Sequence, residues 1–272
     1  MKRLSIIIAL AAALLAGGKA NAQQFKTITV SDKLCFMSYD DEDFFEDVDS
    51  IGVRDSFSIV WPAKGMMTEK AMKELMTYYF HNESGSTDIQ RAARNWREQV
   101  LNEYGGNRVD NINEQFPYSE HSMSSTCEQH GKLATFIIHY YNYEVGAAHG
   151  LYAEQDVVVD VKTGKIIHLH DLIDTSNLGR IVARAVQDLV VNSDVQINLF
   201  DEYKEADELP VSTNFFIDST LSVIYVVYDL YHIAPYCYGL QTIALPVYWL
   251  SKYTTLTPYA KRLFGPDSYI RK

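Results

Sequence analysis

Leu133-Ala134-Thr135-Phe136-Ile137-Ile138-His139-Tyr140-Tyr141-Asn142-Tyr143 is apolar or aromatic on both faces of an extended chain. Such a run reads as a central strand covered on two sides. Gly146-Ala147-Ala148-His149-Gly150 breaks it. Asp156 to Val161 and Lys165 to Leu169 then flank Lys162-Thr163-Gly164. This is a hairpin pattern, with glycine supplying the positive φ of a tight turn.

Upstream of this stretch the period is helical. Met72, Leu75, Met76 and Tyr79 recur at helical spacing over Thr68 to Phe80, with Thr68 as the cap. A second helix is expected from about Asp88 to Tyr104. There Thr87 and Gln90 form a capping box, Ile89, Ala93, Trp96 and Val100 line one face, and Gly105-Gly106 stops the helix. Thr27 to Val30 and Ser56 to Trp61 read as strands, the second ended by Pro62. An acidic run, Asp40-Asp41-Glu42-Asp43 to Asp49, lacks the glycine and ligand spacing of a calcium loop and reads as a solvated loop.

Downstream, Thr175 to Val191 is a third helix, with Leu178, Ile181, Val182, Ala185 and Leu189 as its buried stripe. Phe215 to Ile217 and Leu221 to Tyr228 pair as a hairpin, and Leu240 to Pro246 adds a strand. Thr257, Pro258 and Gly265 cap, start and end a short helix. This order predicts an α+β fold: a twisted, largely antiparallel sheet with helices packed on it. The chain divides near residue 145 into an N-terminal part (23–145) and a C-terminal part (146–272), or forms one compact unit.

Residues 1–22 read as a secretory signal. Lys2 and Arg3 precede an apolar run from Leu4 to Leu15, too short to span a bilayer, and Ala20-Asn21-Ala22 offers a cleavage site. Cleavage removes Lys2, Arg3 and Lys19 and no acidic residue, so the formal charge moves from −11 to −14. A surface of that sign excludes nucleic acid as a partner and favours cationic ones. No transmembrane segment is expected in the mature chain, which should reach the periplasm or the cell exterior. If two of the cysteines pair, Cys35 and Cys127 are the most plausible bridge; free buried thiols are an equally good reading.

The C-terminal part resembles the family called domain of unknown function 3298. The likeness rests on Gly146 to His149, Asp160 to Lys165, Asp171-Leu172, Tyr231 to Gly239 and the strand ending Ile243-Ala244-Leu245-Pro246. Ala147 replaces the second glycine of the family's turn, and His232 stands where an acidic residue is common. Residues 50–145 are similar in element order to domain of unknown function 4163. The resemblance implies an extracytoplasmic module without a known catalytic centre. Such modules occur in the outer part of a lysozyme-binding anti-sigma factor and beside a peptidoglycan deacetylase.

The candidate ligand-contacting residues are His149, Tyr152, Tyr231, His232, Tyr236 and Tyr238. His149 either contacts ligand, as a general base would, or bonds backbone groups to lock its turn. The second reading is preferred, because spacing assigns it no acid partner or nucleophile. The tyrosines around Pro235 form either an aromatic rim or core closure. His168 and His170 fall on one strand face, a spacing that can clamp zinc, with Asp171 projecting to the other face and Asp174 as a third ligand. No nucleophile elbow, zincin helix, phosphate loop or dinucleotide fingerprint is present, and no cofactor is expected. The sequence therefore points to a cell-envelope binding module without catalytic activity, recognising an extracytoplasmic protein or an envelope glycan. The alternative is a hydrolase acting on peptidoglycan or polysaccharide.

Overall fold

β3 (Ile51–Pro62) is the strand around which the N-terminal part is built. The computed structural model describes residues 24–31, 35–39, 51–81, 85–104, 107–109, 118–190 and 198–268. Residues 1–22, read above as a signal, the acidic run at 40–49 and Gly105-Gly106 lie outside these residues. Two short strands, β1 (Thr27–Ser31) and β2 (Cys35–Tyr39), pair antiparallel with the two halves of β3, and β4 (Asn107–Val109) extends β2. Against its other edge β3 receives β5 (Tyr118–His130) in parallel. β6 (Leu133–Tyr143), β7 (Leu151–Asp160) and β8 (Lys165–Ile167) follow as antiparallel neighbours. Among the described residues these eight strands form one sheet. A second sheet of three antiparallel strands joins β9 (Phe215–Ile217), β10 (Val223–Tyr228) and β11 (Gln241–Pro246). The architecture is α+β, with the β3–β5 pair the one parallel contact among the described strands. The larger sheet runs unbroken past residue 145, since β6 and β7 pair from Leu133↔Asp160 to Asn142↔Leu151.

Alternation along β7 explains the doubly apolar run that precedes it. Val157 and Val159 face the helices α1 (Glu69–Tyr79) and α2 (Ile89–Tyr104), in one core with Phe136 and Ile138 of β6. Val158 faces the opposite way, into a core with Leu133, the small sheet and the C-terminal helices. Those helices are α3 (Leu169–Leu172), α4 (Leu178–Ala185), α5 (Val247–Tyr253) and α6 (Pro258–Phe264). The β6–β8 end of the sheet is thus buried on both faces. Beyond Ile138, β6 opens to solvent, so its later aromatics are partly free.

Local chemistry sets the element ends. Thr68 Oγ1 accepts from Ala71 N at the start of α1, and Thr257 Oγ1 from Ala260 N at the start of α6. The Thr87–Gln90 capping box does not form. α2 begins at Ile89 because the Asp88 carboxylate takes the cap, accepting from Arg91 N at 3.1 Å. The third helix starts at Leu178, after a turn in which Leu178 N donates to Thr175 O, and ends in a π-turn over Val186–Val190. The Asp160–Lys165 motif is a docking turn. Asp160 Oδ1 accepts from the backbone of Lys162 and Thr163, and Asp160 Oδ2 accepts from Tyr259 Oη of α6. Gly164 holds φ +63°, its carbonyl accepts from Thr68 N, and a Cβ there would sit 2.8 Å from Met66 O.

One open alternative is decided and one expectation is corrected. Cys127 is a free, half-buried thiol, not half of a disulfide. Cys35 lies opposite Asp55, and Asp55 opposite His121, six residues before Cys127 on β5. Six strand residues span about 20 Å, whereas a disulfide needs Cα atoms within about 7 Å. Nor are His168 and His170 on a strand face. β8 stops at Ile167, His168 is the N-cap of α3, and the Asp171 carboxylate turns back to accept from His168 N at 2.9 Å.

Candidate functional site

Gly150 is where the two motifs carrying the aromatic candidates meet. Its carbonyl accepts from Tyr236 Oη at 2.8 Å and lies 3.2 Å from His149 Nδ1. A carbonyl only accepts, so this contact needs the hydrogen on Nδ1, and the other ring nitrogen, Nε2, lies 3.2 Å from Tyr231 Oη. The imidazole also stacks on Tyr236, with ring centroids 3.7 Å apart. Tyr152 meets the other side of this cluster, edge-on to Tyr236 at 6.5 Å. A Cβ on Gly150 would fall 2.5 Å from the Tyr141 ring, so glycine is what lets Tyr141 lie over the turn.

His149, Tyr152, Tyr231 and Tyr236 are therefore brought together, and Tyr238 ends the same short turn, Tyr236–Tyr238. His232 is not. Its ring packs edge-on against buried Tyr228, 5.3 Å away. Among the described residues, ion pairs to carboxylates involve His121, His130, His139, His168 and His170 but not His149. The group orienting His149 is a backbone carbonyl, where a hydrolytic triad would place a carboxylate.

The cluster is exposed. Tyr141, Leu151, Tyr152, Tyr231 and Tyr238 are five of the eight exposed large hydrophobic side chains among the described residues. They form a ledge beside a groove of about 410 Å³, walled by Trp96 and Val100 of α2 and by Asp229 and Tyr231. Tyr231 holds φ +62°, the left-handed region that side chains rarely occupy. Strain of this kind concentrates at functional sites.

The groove continues along the edge of β7. A second cavity, about 360 Å³, shares Tyr140, Ala153 and Asp229 with the first and adds Glu154. A third, about 210 Å³, shares Tyr78 and Gln155 with the second and is lined by Asp156, His168 and His170. This inner cavity opens where β8 leaves β7 to become α3. Asn214 closes the neighbouring piece of edge, its side chain accepting from Asp156 N and donating to Glu154 O as a strand would. Burial, with Glu154 and Glu128 nearby, pushes the Asp156 carboxyl up to about 7.

The metal candidates lie at this inner end. His168 Nε2 is 2.9 Å from Glu74 Oε1 of α1, and the His168 and His170 rings stack at 5.1 Å. Asp174 is engaged by Ser176 N. Among the described residues no group of three or more His, Cys, Asp or Glu side chains is placed to hold a metal ion. No described helix is long and apolar enough to cross a membrane.

Sequence reasoning missed Asp156, Tyr141, Leu151, Asp229 and Trp96 as site residues. For Asp156 a signal existed: a carboxylate heading Val157-Val158-Val159, inside a strand buried on both faces.

No family model matches the chain, and no curated protein matches it. Solved structures do. A crystal structure of a DUF3298 family member from Bacteroides fragilis aligns with TM-score 0.61 and 18% identity, over 88% of this chain and 96% of that one. Another DUF3298 protein, from Pseudomonas aeruginosa PAO1, aligns with TM-score 0.52 and 14% identity, over 88% and 97%. The fold is that of the DUF3298 structures. The likeness carried by the motifs thus extends to the architecture, and at these identities it concerns the fold alone.

Proposed function

We propose that this chain is an exported cell-envelope recognition module that binds a basic protein of the lysozyme kind across the tyrosine ledge. The observation that carries the reading is the gathering of Tyr141, Leu151, Tyr152, Tyr231 and Tyr238 at one end of the sheet. Clustered exposed aromatics mark interaction surfaces, because tyrosine gives much contact area at little entropic cost. Carboxylates lie close by: Glu120, 4.0 Å from Arg54, which adds to the burial that holds the Tyr141 phenol up; Glu144, 3.6 Å from His121; and Asp229 in the groove wall. An acidic rim on a chain of formal charge −11 steers a cationic partner to the ledge. The export signal and the resemblance to modules of a lysozyme-binding anti-sigma factor and a peptidoglycan deacetylase support an envelope location.

A glycan strand is the second reading, favoured by the open tyrosine faces and by the length of the trough. Hydrolysis is less well supported, because both nitrogens of His149 are held by the ledge itself. Titration of lysozyme into residues 23–272 by calorimetry tests the main reading. Binding that weakens steeply between low and high salt and is lost in Tyr152→Ala/Tyr231→Ala supports it. Salt-insensitive binding, or binding indifferent to the two tyrosines, overturns it.

A further inference from the structure

We propose that the cavity beside Asp156 seats an organic cation, a primary ammonium or guanidinium group, at the inner end of the trough that begins at the tyrosine ledge. Asp156 lines this cavity and is 6% exposed, and its carboxylate has no hydrogen-bond or ion-pair partner among the described residues, with Oδ2 closed off from solvent. Buried carboxylate oxygens are almost always paired, and one left bare costs stability, so a missing donor is the expected complement. The cavity that Asp156 lines has about 210 Å³ of free space, far more than the ~10–15 Å³ that one water needs.

The groups facing this space are matched to a cation. From behind the lining, Glu154 on the same strand and Glu128 on β5 add negative potential at Asp156; Glu154 lies 3.4 Å from His139 and Glu128 3.4 Å from His130. Thr175 and Thr213 line the wall and carry hydroxyl acceptors, and Tyr78 presents an aromatic side chain. His168 and His170 are the basic groups on the rim, and His168 is already paired with Glu74. An anion would meet the Asp156 carboxylate, the one acidic side chain among the lining residues. A metal ion would lack a third ligand among the described residues. The seat stands on this geometry and not on the partner proposed above, so it survives if the ledge reading fails.

A cation binds the ionised carboxylate and competes with its proton. With the carboxyl pushed up to about 7, the ionised fraction rises about tenfold between pH 6 and pH 8. His168 and His170 face the same cavity, so the Asp156→Asn variant, and not pH dependence alone, identifies the group. The test is NMR titration of residues 23–272 with methylguanidinium and with n-propylammonium at pH 6 and pH 8. It is run on the wild type, Asp156→Asn and Tyr231→Ala, with thermal melts confirming that each variant folds.

The expected result is saturable binding to the wild type, about tenfold tighter at pH 8, abolished in Asp156→Asn and kept in Tyr231→Ala. No saturable binding to the wild type, or equal binding in a folded Asp156→Asn, overturns the proposal and leaves a merely hydrated carboxyl. Lysozyme titration of Asp156→Asn then separates the sources. Weakened lysozyme binding means that a partner's lysine or arginine side chain fills the seat. Unchanged lysozyme binding alongside lost small-cation binding means that a free amine does.

Discussion

Tyr231 concentrates the tension between stability and function in a single residue. Its φ of +62° costs a side-chain-bearing residue about 1–2 kcal/mol, yet its hydroxyl lies within hydrogen-bonding distance of His149 and its ring is half exposed. Tyr231→Gly should relieve the backbone while deleting the ring. Denaturant unfolding is expected to show stability unchanged or raised by up to about 1 kcal/mol, with lysozyme affinity down at least tenfold. Asp156 makes a second residue-scale test. Its folded pKa is raised, so in the unfolded chain it loses its proton first as pH rises. The destabilisation is absent below about pH 4, grows as pH rises toward 7 and is complete above it. Asp156→Asn should therefore match the wild type near pH 4 and exceed it at pH 8, by a margin on the order of 4 kcal/mol. Thermal melts across that range check it; a constant difference would refute the buried ionisation. The sequence pointed to His149 and the tyrosines through their unusual neighbours. For Asp156 it offered only a carboxylate heading three valines; that the carboxylate lacks a partner shows only in the folded chain.

Among the elements, α1, α6 and the β7–β8 hairpin were readable because period, cap and turn agree within each segment. β5 was not. Its sequence, Tyr118-Ser119-Glu120-His121-Ser122-Met123-Ser124-Ser125-Thr126-Cys127-Glu128-Gln129-His130, is polar, and its burial is satisfied across the sheet. Ser125 Oγ accepts from Val60 N, and Tyr79 Oη lies 2.8 Å from both Ser125 Oγ and Val60 O. Such a strand is specified by partners distant in sequence, which a periodicity argument does not see. The same holds for the parallel β3–β5 pairing. α2 shows how helices are fixed to this sheet. Buried Arg97 pairs with fully buried Asp55 of β3, and its guanidinium lies 4.9 Å over the Phe57 ring. Arg97→Ala strands a buried carboxylate and should cost about 3–5 kcal/mol in denaturant unfolding. Arg97→Lys should recover only part of that, because an ammonium lacks the planar fork and the stacking. A loss under about 1 kcal/mol would show that the pair is not buried as described.

At the scale of the molecule, the arrangement is a sheet covered by helices on one face and by a smaller sheet with four helices on the other. The trough is left along β7, where β8 ends early. The ledge lies at its outer end and Asp156 at its inner end, and both belong to segments that resemble DUF3298 motifs or adjoin them. The α+β class was readable from element order. The separate small sheet was not, because strands from 215 to 246 look the same whether they join one sheet or two. Recognition of a basic protein by the ledge is what we propose for the molecule as a whole. The most direct measurement is calorimetric titration of lysozyme into residues 23–272 at low and high salt, with Tyr152→Ala/Tyr231→Ala measured alongside. The account predicts saturable binding that weakens at least tenfold at high salt and vanishes in the double variant. Binding of equal strength in that variant would contradict it, as would no saturable binding to the wild type.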